Sequence, residues 1–428
     1  MKKIKYCLFD FDGAVVEGGG ELLKSGIKSL WERLTDEGCQ IVFLSQIDGA
    51  EPESVLANAG FDVTYRNITY GEVSALDFSC VLDKIGAMAE ETVLFSCNAN
   101  VIREAKREKI YSVGIKDSKT GNMLDELIRI SDSYVRQYSE LAAIERNIPL
   151  NRVSLELGGG RLWQISNRSY MQMMSYIIDT PNGDTIVIDG GNRLPDDAKN
   201  LKRLIDERGG RVDLWIMTHA HSDHFGSLLW LMEQETFDIN IEKLCFRFPP
   251  IEWFKDKENG DAYRQLSALY SALERRGIAY HDLIRGQTIA CGGIEIEVLG
   301  DCSNYENYST VNDTTIALKA HFPKRDVLFL GDLAVDGGKD LLRYCPAEKL
   351  RCDIVQMAHH GQGGVKKDFY EHICPKICLY TTPDWLWDND EGNGKDTGPY
   401  KTLETRHWME ELNAQASFPC AYGDYLFE

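Results

Sequence analysis

Short apolar runs alternate with amphipathic segments over the first part of the chain. Residues 4–9, 41–44 and 92–95 are short and apolar, as buried strands are, while residues 22–34, 73–88 and 101–109 carry apolar positions at helical spacing. Strand and helix in alternation predict a parallel sheet with crossover helices. Residues 124–146 are polar, charged and helical in period, which predicts a helix that either connects two domains or packs on one of them. Beyond residue 150 the pattern changes. Residues 161–165, 173–179 and 185–189 read as strands, the last two joined by the turn Pro181-Asn182-Gly183-Asp184. A helix over 196–207 leads to the apolar run 214–217, and another helix is predicted over 227–235. Residues 295–299, 314–320, 326–331 and 354–357 read as further strands. The expected organisation is an α/β domain over 1–122, a helical linker over 123–150 and a second α/β domain over 151–428. The Gly- and Asp-rich stretch 388–398, beside Trp385, Trp387 and Tyr400, reads as a surface loop.

Composition narrows the partners. With 47 Lys and Arg against 67 Asp and Glu, the net charge is −20. That balance disfavours non-specific binding to long nucleic acid or an anionic membrane, and favours a compact substrate or a locally basic channel. None of the twelve cysteines forms a CxxC pair, and reduced thiols in a cytoplasmic protein are expected. Lys2, Lys3 and Lys5 precede a strand ending in two aspartates rather than a long apolar segment, so no signal peptide is expected. No run reaches membrane-spanning length, so no membrane association is expected.

The chemistry concentrates after the run 214–217. Thr218-His219-Ala220-His221-Ser222-Asp223-His224-Phe225-Gly226 holds three of the nine histidines. A tight loop at a strand end can splay these side chains toward two adjacent cations, His219 and His221 to one, Asp223 and His224 to the other. Such a site needs a bridging carboxylate and a further imidazole. Asp332 ends one strand, in Phe329-Leu330-Gly331-Asp332, and His359 and His360 end another in the same manner. Asp189, in Ile188-Asp189-Gly190-Gly191, is placed to hold the loop by hydrogen bonds.

The order IDGG, THAHSDHFGS, FLGD and AHHG resembles the metallo-β-lactamase superfamily over about residues 155–385. The closing GD and HHG elements are similar to its competence-protein (ComEC) branch, the soluble hydrolase domain attached to DNA-uptake channels. The resemblance implies an αββα sandwich and two divalent metals, zinc in most members, with manganese an alternative. It implies His219 and His221 on the first metal, Asp223 and His224 on the second, Asp332 as the bridge, and His359 or His360 completing the second site. Gly361 favours His360. Many members give the first metal a third imidazole from a middle strand. Here only His281 and His321 are available, and both sit where the branch places no ligand. Asn312-Asp313-Thr314-Thr315 resembles the branch's Asn/Ser element, so substrate contact through Asn312 and a plain strand-opening turn are both open.

The implied reaction is hydrolysis by a metal-bridging hydroxide, since two cations lower the pKa of a shared water to about 7. Asp223 would orient that water or accept its proton. The branch implies a phosphodiesterase or nuclease acting on nucleic acid or a nucleotide-like small molecule. Carboxylic-ester, lactone or thioester hydrolysis on the same scaffold is the second reading. A non-catalytic sensor or assembly protein, with protein partners or as a homo-oligomer, is the third.

In the first half, Leu8-Phe9-Asp10-Phe11-Asp12-Gly13 places two carboxylates at a strand end, an arrangement suited to an aspartyl nucleophile and a neighbouring acid/base with Mg²⁺ between. This resembles the haloacid-dehalogenase (HAD) superfamily over about residues 1–120. It implies a Rossmann-like parallel sheet, Asp10 as nucleophile, Asp12 as acid/base, Ser45 on phosphate and Lys84 as the phosphate-neutralising lysine. The fourth motif departs, because Cys97 and Val101 stand where Mg²⁺-binding acids belong, and Ala14 replaces Thr or Val. Loss of those carboxylates weakens Mg²⁺ binding severely and favours an inactive or regulatory domain over an active phosphatase.

Overall fold

Six strands, all parallel, form the N-terminal sheet in the order Tyr65–Tyr70, Gln40–Gln46, Tyr6–Asp10, Thr92–Ser96, Tyr111–Ile115, Ser133–Val135. In this computed structural model the described residues are 4–20, 22–46, 52–61, 65–72, 76–118, 120, 123–141, 148–391 and 393–428. The chain divides into two units, Met1–Arg146 with Leu194–Asp196 and Asn147–Arg193 with Asp197–Glu428. The central strands of the first unit are continuous apolar runs because helices cover both faces. Phe9, Phe43, Phe95 and Trp31 fill one face, with Phe9 and Phe95 stacked at 4.6 Å between centroids.

Three predicted elements of this unit differ in extent. The helix expected over 22–34 is Ile27–Asp36, because Gly26 turns left-handed (φ 80°) and Leu23 pairs with Val16 in a bridge instead. The helix expected over 73–88 is Phe78–Ile85, opened by the Asp77 side chain accepting from Ser79 N and stopped at the left-handed Gly86, while 73–75 lie outside the described residues. Among its described residues, the helical linker expected over 123–150 is α-helical over Leu124–Ile130 and forms a single 3-10 turn at Tyr138–Glu140. Between them Ser133–Val135 joins the sheet beside Tyr111–Ile115, and residues 142–147 lie outside the described residues. A three-residue strand is too short to show a period. It is stabilised by what it meets: Val135 is buried, and the Tyr138 hydroxyl donates to the Ala14 carbonyl at 2.7 Å.

Strand order reverses between Tyr6–Asp10 and Thr92–Ser96, the switch point where open parallel sheets form a crevice at their carboxyl ends. Asp10 and Ser96 are the last residues of those two strands.

The C-terminal unit packs two sheets face to face. The eight-stranded sheet runs Tyr280–His281, Leu244–Cys245, Leu214–Ile216, Thr185–Ile188, Tyr176–Asp179, Arg161–Gln164, Asp424–Phe427, Leu150–Val153. The seven-stranded sheet runs Thr288–Cys291, Ile294–Val298, Leu318–His321, Asp326–Phe329, Ile354–Gln356, Ile377–Tyr380, Ala416–Pro419. Alternation does the sorting. Leu214 and Ile216 enter the core between the sheets with Ile186, Ile296, Val327 and Phe329, while Trp215 points the other way. Tyr176 meets Phe329 edge-on across that core at 5.1 Å, and burying each such ring contributes about 1.5–3 kcal/mol. Helices Val335–Tyr344, Lys367–Ile373 and Thr402–Glu411 cover the outer face of the seven-stranded sheet. Helix Ser222–Glu233 lies outside the eight-stranded sheet with Asp261–Arg276 packed on it. The result is the expected αββα sandwich.

That first helix begins five residues before the predicted 227–235, so Asp223 and His224 lie in its first turn rather than in the loop. The polar HSDH stretch hides the helix from a hydrophobic pattern. What admits it is Gly226: a Cβ there would sit 2.2 Å from Arg193 N, so the turn presses directly on the 190–193 backbone. Among the described residues no helix is long and apolar enough to cross a membrane. All twelve cysteines are free thiols.

Candidate metal centre

Four strands of the sandwich deliver the candidate ligands to one rim. Thr185–Ile188 and Leu214–Ile216 lie parallel with Ile188 beside Ile216, and Asp326–Phe329 and Ile354–Gln356 lie parallel with Phe329 beside Gln356. Asp189, the histidine loop, Asp332 and the His359-His360 pair follow these ends. The buried Gln356 side chain ties two of the loops together. Its Oε1 accepts from Leu330 N (2.8 Å) and Gly331 N (2.6 Å), and its Nε2 donates to the Gly331 (3.0 Å) and Met357 (2.6 Å) carbonyls.

Each loop imidazole has one nitrogen anchored and the other aimed at the centre. Carboxylates and carbonyls only accept, which assigns the tautomers. His224 Nδ1 donates to Asp189 Oδ2 at 2.7 Å, and His360 Nδ1 donates to the Thr381 carbonyl at 3.0 Å. His221 Nε2 donates to Glu258 Oε1 at 2.7 Å, which leaves His221 Nδ1 3.1 Å from His219 Nε2. Asp189 also accepts from Thr218 N (2.7 Å) and Thr218 Oγ1 (2.8 Å), so one buried carboxylate fixes both the loop and an imidazole.

Two ligand groups result. Asp223, His224, Asp332 and His360 form one, and His219, His221 and Asp332 the other, with donor atoms in each group within 4.8 Å of one another. Asp332 belongs to both. Its Oδ1 lies 3.1 Å from His224 Nε2, and its Oδ2 lies 3.5 Å from His360 Nε2 and 4.0 Å from His219 Nε2. His224 Nε2 and Asp332 Oδ1 are buried and have no hydrogen-bond partner among the described residues, although they face each other. With the His224 proton on Nδ1, both orphaned atoms present lone pairs, and two buried lone pairs facing each other among further N and O ligand atoms fit a divalent cation. The residues therefore fit a pair of ions sharing Asp332.

Burial alone would lower His221, His224 and His360, but the surrounding carboxylates outweigh it and raise all three, a demand for positive charge that a cation in place of the protons would meet. Burial, with His224 and His221 adding to it, drives the His219 imidazole well below its ordinary value, so it is a neutral donor. Burial alone would raise the Asp332 carboxyl, but His360, His224 and His359 outweigh it and hold it well below the usual range. Asp223 behaves likewise, with His224 and His360 overcoming burial. A cleft of about 220 Å³ opens onto His221 and Asp223 and is bounded by Glu258 and Asp261.

The two candidates of the HHG element separate. His360 is buried within a ligand group, while His359 is partly exposed and joins neither group. Both adopt left-handed backbone angles (φ 51° and 52°), a strain tolerated where the next residue, Gly361, must turn against the Tyr380 ring. Neither His281 nor His321 reaches the centre: His281 is exposed, and His321 is held by Asp326 at 2.9 Å. Asn312 sits in the turn Val311–Thr314, its Oδ1 buried without a hydrogen-bond partner among the described residues.

Glu258 is the residue that sequence reasoning missed. It lies in a short turn of its own, left-handed at Glu258 and Asn259, with no motif around it. By holding His221 Nε2 it leaves Nδ1 beside His219 Nε2, where the two would hold a first metal. Glu258→Ala is expected to weaken binding of the first metal roughly tenfold and Glu258→Gln much less, since the glutamine oxygen still accepts; chelator-competition titration checks this. Asp189→Asn is expected to cost about 10–100-fold in metal affinity in the same titration, because His224 loses its carboxylate anchor.

The N-terminal cluster is organised differently. Asp10 Oδ2 accepts from Ser96 Oγ at 2.6 Å and Asp10 Oδ1 from the Tyr70 hydroxyl at 3.2 Å, while Asp12 Oδ2 accepts from Gln46 N at 3.0 Å. Ser45 stands at the same edge but donates to Asn67 Oδ1 at 2.9 Å. Lys84 does not join them. It is exposed in the last turn of its helix, whose capping Gly86 carbonyl accepts from the Tyr6 hydroxyl at the opposite end of the strand that carries Asp10, about 13 Å away along that strand. The site also does not fit Mg²⁺. Val101 is an apolar core residue, and burial, with Asp10 and Asp117 adding to it, pushes the Cys97 thiol up to about 12. Asp117 Oδ2 is held by Lys24 Nζ at 2.9 Å, so an ammonium stands near where a metal-binding site would need carboxylates free.

Fold and site together define the C-terminal unit as an αββα sandwich with a cluster of histidines and carboxylates fit to hold metal at one rim. Residues 171–364 match the model of the metallo-beta-lactamase superfamily, and the C-terminal region carries a metallo-beta-lactamase domain. No curated protein matches the chain. Among solved structures it is similar to the metallo-beta-lactamase fold protein YhfI from Bacillus subtilis, at 12% identity over 63% of this chain and 99% of that one, with a TM-score of 0.38. It is also similar to CmlA, a diiron beta-hydroxylase from Streptomyces venezuelae, at 13% identity over 61% of this chain and 52% of that one, with a TM-score of 0.36. A third similarity is to the cobalt-bound deoxy-D-mannose-octulosonate 8-phosphate phosphatase YrbI from Haemophilus influenzae, at 18% identity over 32% of this chain and 79% of that one, with a TM-score of 0.24. No reaction is carried over from these likenesses.

Proposed function

We propose that the C-terminal unit is a dinuclear-metal phosphodiesterase or nuclease acting on nucleic acid or a nucleotide-like phosphodiester. The observation that carries it is Asp332, which belongs to both ligand groups: Oδ1 lies toward His224, and Oδ2 lies toward His360 of that same group and His219 of the other. Two divalent ions held there, zinc in our reading with manganese the alternative, would supply Lewis acidity and lower the pKa of a bound water toward neutral. The chain's own part is to hold and orient. His219 Nε2 and His221 Nδ1 offer lone pairs on one side, while Asp223, His224 and His360 do so on the other. Asp223 also faces the cleft, where it orients the attacking water by accepting its hydrogen bond, and Gln172 steadies that carboxylate at 3.3 Å. No serine or cysteine nucleophile is called for. The choice of a phosphodiester over a carboxylic ester is supported by the FLGD and AHHG elements, which resemble the competence-protein branch.

We read the N-terminal unit as a HAD-like regulatory or partner-binding domain without its own metal. The free thiols are compatible with a cytoplasmic setting. Metal analysis with assays on bis-p-nitrophenyl phosphate, single-stranded DNA and a lactone panel tests the reading. Turnover of a phosphodiester, lost in Asp223→Ala and Asp332→Ala, is expected. Turnover confined to lactones, or turnover unchanged in both variants, overturns it.

A further inference from the structure

We propose that an aromatic cleft beside the metal centre is a nucleobase subsite, which makes the substrate a nucleotide-type phosphodiester. The proposal rests on the phosphodiesterase reading and adds to it the part of the substrate that does not react. The cleft measures about 450 Å³ and is lined by Phe246, Arg247, Phe248, Tyr270, Tyr280 and Tyr305 among others. Phe246 is sandwiched by neighbours, with Phe248 at 4.6 Å and Tyr280 at 4.4 Å between centroids, both stacked. Tyr280 nevertheless remains 44% exposed. An aromatic stack left open at the surface offers flat π faces to a flat ring.

Its position ties it to the reacting atoms. Leu244–Cys245 lies parallel beside Leu214–Ile216, with Ile216 next to Cys245, so Phe246 leaves the sheet one strand away from the histidine loop, about 5 Å laterally. Tyr280–His281 is the next strand along, about 10 Å from that loop. Two segments run from cleft to metal centre. Residues 246–258 start in the cleft and end at Glu258, which holds His221 at 2.7 Å. The segment that brings Cys302 and Tyr305 to the cleft ends where Ile316 N donates to the Thr218 carbonyl at 3.0 Å, immediately before His219. A ring seated in the cleft therefore has its phosphodiester arm directed along walls that terminate at the ligands.

The polar groups select the ring. The Arg247 guanidinium makes a long ion pair with Asp301 at 3.8 Å through one nitrogen and stays partly exposed, so the rest of its planar donor fork can meet the carbonyl and ring-nitrogen edge of a base. Asp282, also lining the cleft, provides an acceptor for an exocyclic amino group. A lactone or acyl chain would answer neither.

Isothermal titration of the zinc-loaded full chain with 5′-GMP, 5′-AMP and ribose 5-phosphate tests this. The nucleotides are expected to bind at least about tenfold more tightly than ribose 5-phosphate. Tyr280→Ala and Arg247→Gln, both at the cleft surface, are expected to remove most of that difference while leaving ribose 5-phosphate affinity and metal content unchanged. Equal affinities in the wild-type chain, or a base-dependent gain retained in both variants, overturns the subsite. Turnover of bis-p-nitrophenyl phosphate by the same preparations reports separately on the phosphodiesterase reading. Base-selective binding without turnover contradicts that reading alone, and turnover without base-selective binding contradicts the subsite alone.

Discussion

Asp332→Asn is expected to lower kcat/KM for bis-p-nitrophenyl phosphate by on the order of 10³-fold, about 4 kcal/mol of transition-state stabilisation. Asparagine keeps the volume and one acceptor oxygen, so the loop held by Gln356 has no reason to move. What disappears is the negative charge common to both ligand groups. The group of His219 and His221 is left with two imidazoles, whereas the other keeps Asp223, His224 and His360. The first ion should therefore be lost before the second. Metal content near one per chain with an unchanged near-ultraviolet circular dichroism spectrum is the expected accompaniment. Full activity in this variant would remove Asp332 from the centre.

The second large effect lies in the other unit and has the opposite sign. Burial, partly offset by the Ser96 and Tyr70 hydroxyls, raises the Asp10 carboxyl from 3.8 to about 6. A folded-state value above the unfolded one favours the protonated form. The associated stability is full below about pH 4 and is lost as pH rises through about 6. At pH 7 the ionised carboxylate then costs the fold about 3 kcal/mol. Asp10→Asn cannot ionise and retains groups for both hydroxyls. Hydrogen exchange of the strand Tyr6–Asp10 should show the variant more protected than wild type at pH 7, with the difference gone at pH 4. No gain at pH 7 would mean that a cation serves the charged Asp10, and would restore an active phosphatase site.

Legibility followed the range of each interaction. The histidine loop, Asp332 and the HHG element could be read because strand ends leave a local mark, an apolar run followed by polar ligands. The parallel order of the N-terminal sheet followed from alternation alone. Lys84 was placed by likeness and failed because its helix ends at the opposite end of the strand that carries Asp10, which depends on helix direction rather than motif. Ser133–Val135 was missed because three residues carry no period and acquire their burial from a distant partner. Glu258 left no trace at all: an exposed glutamate in a glycine-ended turn becomes meaningful only when folding sets it against His221. Gly361 favoured His360 over His359 in the sequence but left both open, since it is the folded left-handed turn that buries one ring and leaves the other partly exposed.

The measurement that bears most directly on the central claim is the metal stoichiometry of the purified chain, loaded with zinc or manganese, dialysed and quantified by inductively coupled plasma mass spectrometry. Two ions per chain are expected for the wild type, falling toward one in Asp332→Asn. Wild-type protein that retains no ion, or an Asp332→Asn variant that still holds two, would contradict a centre built on a shared Asp332.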